Sequence, residues 1–186
     1  MSKLPIYNIL LDNAEGIQIM SLVESPAVES DFITFSKEEL KFSINEEENI
    51  VFGCALRANY PIYRVSPQIG EYYVVFSKEV IKQLYEKFLI EERVSEVNLE
   101  HTYKTDGVHL IQSFIKDIDK GINPKGFEEV EDGSWFCAYK VTNKEVWDQV
   151  KEGKFKGFSV EGFFNLQLDE PKDEFESLID EILDEI

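Results

Sequence analysis

A short polar pair inside an apolar stretch is the part of the sequence best suited to chemistry. Residues 156–164 read KGFSVEGFF, and their alternation of side chains is typical of a β-strand. Ser159 and Glu161 fall on one face of this strand, and both faces are otherwise largely apolar, which favours burial. A buried hydroxyl and a buried carboxylate are costly unless they have partners. We therefore interpret Ser159 as a nucleophile; the alternative is a barrel strand that carries two satisfied polar residues.

A hydroxyl nucleophile needs a base and a group that orients the base, and the sequence offers few bases. His101 and His109 are the two histidines of the chain. Alternation over residues 96–101 predicts a strand with His101 at its end, on the apolar face, where a satisfied core histidine is the alternative. Residues two apart on one strand face have Cα atoms roughly 6.5 Å apart. One imidazole can bridge that separation with its two nitrogens, so His101 is a candidate base for Ser159, with Glu161 on its other nitrogen.

Other kinds of site fit the sequence less well. An α/β-hydrolase elbow needs a second glycine where Glu161 stands, and here the chain stays extended. A metal site built from Glu100, His101 and His109 lacks the spacing of a zinc peptidase and has too few ligands. The sequence contains no glycine-rich phosphate loop. We therefore expect neither a metal nor a cofactor.

The composition indicates an acidic globular protein. The chain has 186 residues, of which 43% are hydrophobic, enough for one sizeable domain with a core. Its net charge of −18 disfavours nucleic-acid binding and favours basic protein partners or a scaffold-like tail. Cys54 and Cys137 lie in apolar strand-like surroundings, so we expect buried reduced thiols, with a single disulfide as the alternative. Without a signal-peptide pattern or a membrane-length apolar run, we expect a soluble intracellular protein.

Turn and helix signals divide the chain into an arm, a body and a tail. Residues 1–49 form the predicted N-terminal arm, with two strand-like segments and an acidic loop at its end. Hairpin signals and two amphipathic helices, near 77–93 and 143–152, mark the body at 50–168. This pattern predicts an α+β fold with a mostly antiparallel, curved sheet or a closed β-barrel, and with the helices packed outside it. Residues 169–186 contain nine acidic residues and one lysine, with apolar residues at helical spacing, which predicts a helix that packs on its own domain or binds a partner.

The order of several motifs resembles that of the phage prohead proteases. These are capsid-maturation serine peptidases, XkdF-like chains among them, that are related in fold to the herpesvirus assemblins. The matching stretches are SLVESPAV at 21–28, PIYR at 61–64, VNLEH at 97–101, DGSWF at 132–136 and KGFSVEG at 156–162. Together they extend over most of residues 17–168, and their common order makes the set more specific than any single member.

The resemblance implies a fold and a set of catalytic residues. The implied fold is an assemblin-like β-barrel with flanking helices. Ser159 and His101 match the nucleophile and the base of the family. The third member varies between related groups; Glu161 is our choice, and Asp169 and His109 are the alternatives.

The resemblance also implies a biological setting. The expected activity is that of a serine endopeptidase that cleaves scaffold and capsid-protein segments inside an assembling procapsid, in the cytoplasm of a bacterial host. Its expected partners are those capsid and scaffold proteins and further copies of itself, without nucleic acid or membrane. Candidate oxyanion donors are backbone N–H groups near the nucleophile strand, or Arg64. The alternative is a non-enzymatic capsid assembly or scaffold protein that retains the protease fold and binds shell subunits through its acidic tail.

Overall fold

Twelve strands and two helices make up the part of the chain that the computed structural model describes, which comprises residues 4–11, 16–24, 43–95 and 97–169. The strands, numbered in chain order, are β1 (Ile6–Leu10), β2 (Gly16–Val23), β3 (Ser43–Asn45), β4 (Ile50–Leu56), β5 (Ile62–Ser66), β6 (Gly70–Val75), β7 (Val97–Leu99), β8 (Tyr103–Lys104), β9 (Val108–Ile115), β10 (Trp135–Val141), β11 (Gly157–Phe163) and β12 (Asn165–Leu168). The helices are α1 (Lys78–Ile90) and α2 (Lys144–Lys151), and a single 3₁₀ turn spans Arg93–Ser95.

The described strands form three four-stranded sheets. The first has the order β12-β1-β6-β5, the second β3-β4-β10-β9 and the third β11-β2-β7-β8. Most neighbours are antiparallel, and the pairs β1–β6 and β2–β7 are parallel. The α+β class is therefore confirmed. The expectation of one closed barrel is not, because no ladder within the described residues joins the edge strands of one sheet to those of the next.

Both predicted helices are confirmed, and the local sequence explains where each begins. The hydroxyl of Ser77 accepts the N–H of Val80 at the start of α1, and the side chain of Asn143 does the same for Val146 in α2. Such caps satisfy N–H groups that have no partner inside the first turn. On α1, Phe88 is buried and packs edge-on against Trp135 of β10, which places the helix against the second sheet.

The core lies between the sheets, with β10 as its most buried strand. Its side chains from Trp135 to Tyr139 are all buried. Cys54 and Cys137 are buried free thiols, as the sequence predicts. Among the residues that the structure describes, neither α-helix has the length and apolar character that crossing a membrane requires.

The two strands of the predicted arm pair with strands of the predicted body. β1 lies between β6 and β12, and β2 lies between β7 and β11. The division of the chain at residues 49 and 168 stays a prediction. Of the predicted tail helix at 169–186, Asp169 alone is among the described residues, and the rest lies outside them.

Candidate active site

A row of polar side chains crosses the third sheet from β11 through β2 to β7. Ser159 of β11 lies opposite Ser21 of β2, and Ser21 lies opposite Asn98 of β7. Residues directly opposite each other on neighbouring strands project to the same face of the sheet. The exposed fractions are 5% for Ser159, 0% for Ser21 and 6% for Asn98. Three polar residues therefore share one buried face, where each needs a hydrogen-bond partner.

Glu161 supplies the acceptor at this face. It lies two residues beyond Ser159 on β11, so its side chain projects to the same side. Its Oε1 accepts hydrogen bonds from Ser21 Oγ at 3.0 Å and from Asn98 Nδ2 at 2.6 Å. The same oxygen lies 2.8 Å from Nδ1 of His101. One carboxylate oxygen of β11 thus connects β2 with β7 and with the turn that follows β7.

His101 reaches this carboxylate from a turn. β7 ends at Leu99, and the expectation that the strand continues to His101 is wrong. Glu100 and His101 both have left-handed backbone conformations, with φ of 49° and 56°, and Thr102 N–H closes the turn on Leu99 O at 3.0 Å. Two consecutive left-handed residues match the twist of a tight hairpin. This conformation is costly for glutamate, whereas histidine is among the residue types enriched in it.

Glu100 fastens this turn to β2. Its backbone N–H donates to Leu22 O at 3.0 Å, and its side-chain Oε1 accepts the N–H of Glu24 at 2.6 Å. These contacts offset the unfavourable backbone conformation. They also fix the position of His101 relative to the strand that carries Ser21.

A β-bulge follows Glu161. The pairing of β11 with β2 shifts register between Glu161 and Gly162, so that Glu161 lies opposite Ile19 and Gly162 lies opposite Ile17. A Cβ atom on Gly162 would clash with the backbone carbonyl of Gly16. Glycine is needed here because the two backbones approach closely, and the bulge sets the direction of the strand beside Glu161.

The pKa of the Glu161 carboxyl is the net result of burial and hydrogen bonding. Partial burial raises this pKa, but the hydrogen bonds from Asn98, His101 and Ser21 together outweigh burial and hold it below the ordinary value. Glu161 is therefore an ionised acceptor at neutral pH.

The tautomer of His101 follows from these partners. Ionised Glu161 only accepts hydrogen bonds, so Nδ1 at 2.8 Å from its oxygen must carry a proton. Ser21 Oγ lies 3.0 Å from the same Nδ1 and donates its single proton to Glu161. In the neutral imidazole Nε2 is then the unprotonated nitrogen, and 41% of the His101 side chain is exposed. The arrangement presents an oriented base beside a partly buried carboxylate.

The structure brings together some of the predicted site residues. Glu161 and His101 are in contact, and Ser159 shares their sheet face, but among the described residues no hydrogen bond joins Ser159 to His101. The alternative third members lie elsewhere: His109 contacts Thr142, and Asp169 accepts a hydrogen bond from the side chain of Asn8. The catalytic roles of Ser159, His101 and Glu161 remain predictions.

Two further expectations concern other kinds of group. Arg64, a candidate oxyanion donor, lies on β5 in the first sheet, where it donates to Tyr63 O, whereas Ser159 is in the third. In the described part of the chain, no group of three or more His, Cys, Asp or Glu residues is placed to hold a metal ion.

Ser21 and Asn98 are the residues of this site that sequence reasoning missed. Each lies inside a stretch that carries the family resemblance, SLVESPAV or VNLEH, yet neither has a partner nearby in sequence. Their roles depend on the parallel pairing of β2 with β7, which no local pattern indicates. The available signal was a polar residue in an apolar strand, the same signal that singled out Ser159.

Comparisons with known proteins identify relatives of this chain. A sequence model of the family described as “Putative phage serine protease XkdF” matches residues 42–167. That range contains Asn98, His101, Ser159 and Glu161, whereas Ser21 precedes it. The Phage-like element PBSX protein XkdF of Bacillus subtilis (strain 168) is 25% identical over 148 residues, which cover 80% of this chain and 47% of that protein. The chain thus spans about half the length of the curated relative that it matches.

No solved structure matches the chain. The assemblin-like character of the fold accordingly stays a prediction.

Proposed function

Because this chain belongs to the XkdF-like family of phage proteases, we propose that it is a serine endopeptidase with Ser159 as nucleophile, His101 as base and Glu161 as the group that orients the base. The observation that most supports the proposal is the 2.8 Å contact between His101 Nδ1 and Glu161 Oε1. A carboxylate in this position holds the imidazole in one tautomer and stabilises the imidazolium that forms during acyl transfer.

The positions of the protons favour Ser159 over Ser21 as nucleophile. Ser21 faces the protonated Nδ1 of His101 and gives its own proton to Glu161, so the nitrogen nearest to it has no lone pair with which to accept that proton. The unprotonated Nε2 is the nitrogen that can accept a proton. Ser159 is the other serine on this face, directly across from Ser21. The proposed mechanism requires a movement that brings Ser159 Oγ to Nε2, since catalytic hydrogen bonds often form fully only when substrate binds.

The proposed reaction proceeds in two balanced halves. Ser159 Oγ bonds to the scissile carbonyl carbon while its proton passes to His101 Nε2. The C–N bond of the peptide then breaks, and the same proton goes to the leaving amine. Water next attacks the acyl-enzyme, gives one proton to Nε2, and releases the carboxylic acid product as that proton returns to Ser159.

We extend the proposal to the biological setting that the family suggests. The proposed substrates are segments of capsid and scaffold proteins, and the proposed location is the assembling procapsid in the cytoplasm of a bacterial host. Copies of the protein would associate there with one another and with those partners. A net charge of −18 suits basic partner segments and gives repulsion from nucleic acid.

A fluorophosphonate probe tests the nucleophile without any knowledge of the substrate. Serine Oγ displaces fluoride from phosphorus, and peptide mapping then locates the label. We expect the label on Ser159, with a loss of roughly 10⁴-fold or more in labelling rate for Ser159→Ala and nearly as much for His101→Ala. Ser134→Ala is a matched control, since Ser134 is also buried and hydrogen-bonded but lies outside the polar row. A label on Ser21 would overturn the assignment, and a folded protein that takes no label would argue against an enzyme.

The acidic composition supports a second candidate function, that of a non-enzymatic capsid assembly or scaffold protein. Nine acidic residues and one lysine in 169–186 are suited to binding basic surfaces on shell subunits. Incubation of the purified protein with its capsid and scaffold proteins separates the two functions. New peptide termini in mass spectra, absent with Ser159→Ala, support the protease, whereas stable binding without new termini supports the assembly protein.

A further inference from the structure

We infer that Ser21 and Asn98 are positioning residues that hold the carboxylate of Glu161 and thereby fix which nitrogen of His101 carries the proton. This inference rests on the proposed function, since it assigns the two residues to the same site. Neither residue touches the reacting atoms in the mechanism above; both act through Glu161.

Their contacts converge on a single atom. Oε1 of Glu161 accepts from Asn98 Nδ2 at 2.6 Å and from Ser21 Oγ at 3.0 Å, and it faces His101 Nδ1 at 2.8 Å. A carboxylate with one strand-borne donor would keep rotational freedom about its terminal bond. Two donors from two different strands leave Oε1 one position, which is the position that His101 meets.

The donors are more rigid than the base that they serve. Ser21 is fully buried in β2, and Asn98 is 6% exposed in β7. Strand residues with buried side chains are held by packing and by backbone ladders on both sides. His101, in contrast, lies in a turn and is 41% exposed. The strand residues therefore fix the carboxylate of Glu161, and Glu161 in turn fixes the imidazole of His101.

The amide of Asn98 shows that its hydrogen bond to Glu161 carries a cost. Nδ2 must face Glu161, because the carbonyl oxygen of the amide would repel the carboxylate. That orientation leaves Asn98 Oδ1 buried without a hydrogen-bond partner in the described part of the chain. A buried acceptor without a partner is unfavourable. The unpaired Oδ1 of Asn98 is explained if the site requires the Nδ2 donor of the same amide.

Ser21 completes the arrangement of protons. Its hydroxyl donates to Glu161 and lies 3.0 Å from His101 Nδ1, where it can only accept. The N–H of Nδ1 therefore has two acceptors, and the Nδ1-protonated tautomer gains from both. Loss of the Ser21 hydroxyl removes one donor from Glu161 and one acceptor from His101 in a single step.

Ring ¹⁵N chemical shifts of His101 report the tautomer directly and do not depend on proteolysis. The chain has two histidines, so His109→Gln leaves His101 as the single imidazole signal. At about pH 8.5, where an ordinary imidazole is neutral, we expect the wild-type ring to carry its proton on Nδ1. In Ser21→Ala and in Asn98→Asp we expect a measurable population with the proton on Nε2. Asn98→Asp keeps the size of the side chain but replaces the donor by a second carboxylate beside Glu161.

Labelling with the fluorophosphonate provides the second readout. We expect the rate at Ser159 to fall about 10- to 100-fold in both variants, by analogy with the loss that follows removal of groups that orient metal ligands. Ser21→Thr retains the hydroxyl and should recover much of the rate. The control Ser134→Ala should change neither the tautomer nor the rate.

The outcomes separate this inference from the proposed function. If folded Ser21→Ala and Asn98→Asp both keep the wild-type tautomer, the inference is overturned whether or not Ser159 reacts. If the tautomer shifts in the variants but the wild-type protein takes no label, the positioning role holds and the protease assignment fails. If Ser21→Ala does not fold, the tautomer of His101 in Asn98→Asp and the labelling rate of Ser21→Thr still test the positioning role.

Discussion

Ser21 and Ser159 lie directly opposite each other on the antiparallel strands β2 and β11, and the hydroxyl of Ser21 donates to Glu161 on the same face. The site thus contains two buried serines, of which one is part of the hydrogen-bond network around the carboxylate. A serine that donates its proton to a carboxylate is poorly activated when the pKa of that carboxylate is lowered, as it is for Glu161, because such a carboxylate is a weak base. This relationship divides the two serines into a supporting and a reacting residue in the proposed mechanism.

Glu161→Gln should lower both the labelling rate of Ser159 and the pH dependence of stability. Hydrogen bonds hold the pKa of Glu161 below its ordinary value of 4.5 in the folded protein, despite partial burial. The ionised form therefore stabilises the fold above about that pH, and this contribution disappears as the pH falls through the lowered folded value. The difference in melting temperature between wild type and Glu161→Gln should be largest near neutrality and should shrink below pH 4.5.

Thermal unfolding measured from neutral to acid pH checks this expectation. Ser134→Ala serves as the control, because it removes a buried hydroxyl without removing a titrating group, so its difference from wild type should stay flat. A constant difference for Glu161→Gln would contradict the role of its charge in the fold.

Gly162→Ala should destabilise the bulge beside Glu161. The added Cβ would clash with the backbone carbonyl of Gly16, and a backbone neighbour cannot rotate away. Overpacking of this kind typically costs about 1–3 kcal/mol. Chemical denaturation measures the loss, and because the strand would shift next to Glu161, slower labelling of Ser159 should accompany it. An unchanged free energy of unfolding would show that β2 and β11 separate here at little cost.

Local patterns in the sequence were sufficient for most elements of the fold. Strand and turn signals predicted β1 and β2, alternation of side chains predicted β11, and capping residues with periodic apolar positions predicted α1 and α2. The turn at Glu100 and His101 was missed because glutamate is not typical of left-handed backbone, so the alternation of β7 was extended through both residues. Its conformation depends on contacts with β2 that are remote in sequence.

The residues of the candidate site that could be predicted are those whose pattern is visible within one strand. Ser159 and Glu161 stand out because they are polar residues two apart in an apolar strand. The order of strands in the third sheet is a tertiary property, and it is this order that places Ser21 and Asn98 beside Glu161. The closed barrel was inferred from hairpin signals, which specify neighbouring strands but do not specify whether a sheet closes.

Deletion of residues 172–186 should change oligomeric state or partner binding and leave the main thermal transition nearly in place. The prediction rests on the acidic, amphipathic sequence of this segment. The cut lies beyond Asp169, whose N–H donates to Ile6 O, so it removes none of the hydrogen bonds found between described residues. Light scattering and calorimetry on both proteins provide the measurement. A large drop in melting temperature would instead identify the segment as an ordinary packing helix.

Cys54 and Cys137 should be unreactive in the native protein. Burial raises the pKa of Cys54 to about 12 and also raises the pKa of Cys137, so neither is a thiolate near neutral pH. Ellman's reagent should detect neither thiol in native buffer and both in denaturant. Lys120→Cys provides a positive control, because the Lys120 side chain is 76% exposed. Rapid reaction of a native cysteine would show that the core opens locally on the timescale of the assay.

Lys116→Met should destabilise the loop that follows β9. Lys116 is fully buried, and its ammonium donates to the carbonyl oxygens of Phe127 at 3.0 Å, Glu128 at 2.9 Å and Val130 at 2.6 Å. An ammonium has three N–H donors, so this set satisfies it completely. Methionine matches its length but leaves three carbonyls without their donor, and a buried group that loses its partner costs about 1–3 kcal/mol.

The loss should be local before it is global, because the three carbonyls belong to one loop segment. Hydrogen exchange of the amides in residues 127–134 should accelerate in Lys116→Met, and the free energy of unfolding should fall by roughly 3 kcal/mol or more, since several carbonyls are affected at once. Lys120→Met is the matched control: it makes the same substitution four residues along the chain, at an exposed lysine whose partner Asp117 is accessible to water. Equal effects from the two variants would contradict a special role for the buried ammonium, whereas a large effect confined to Lys116 would identify it as the residue that organises this loop.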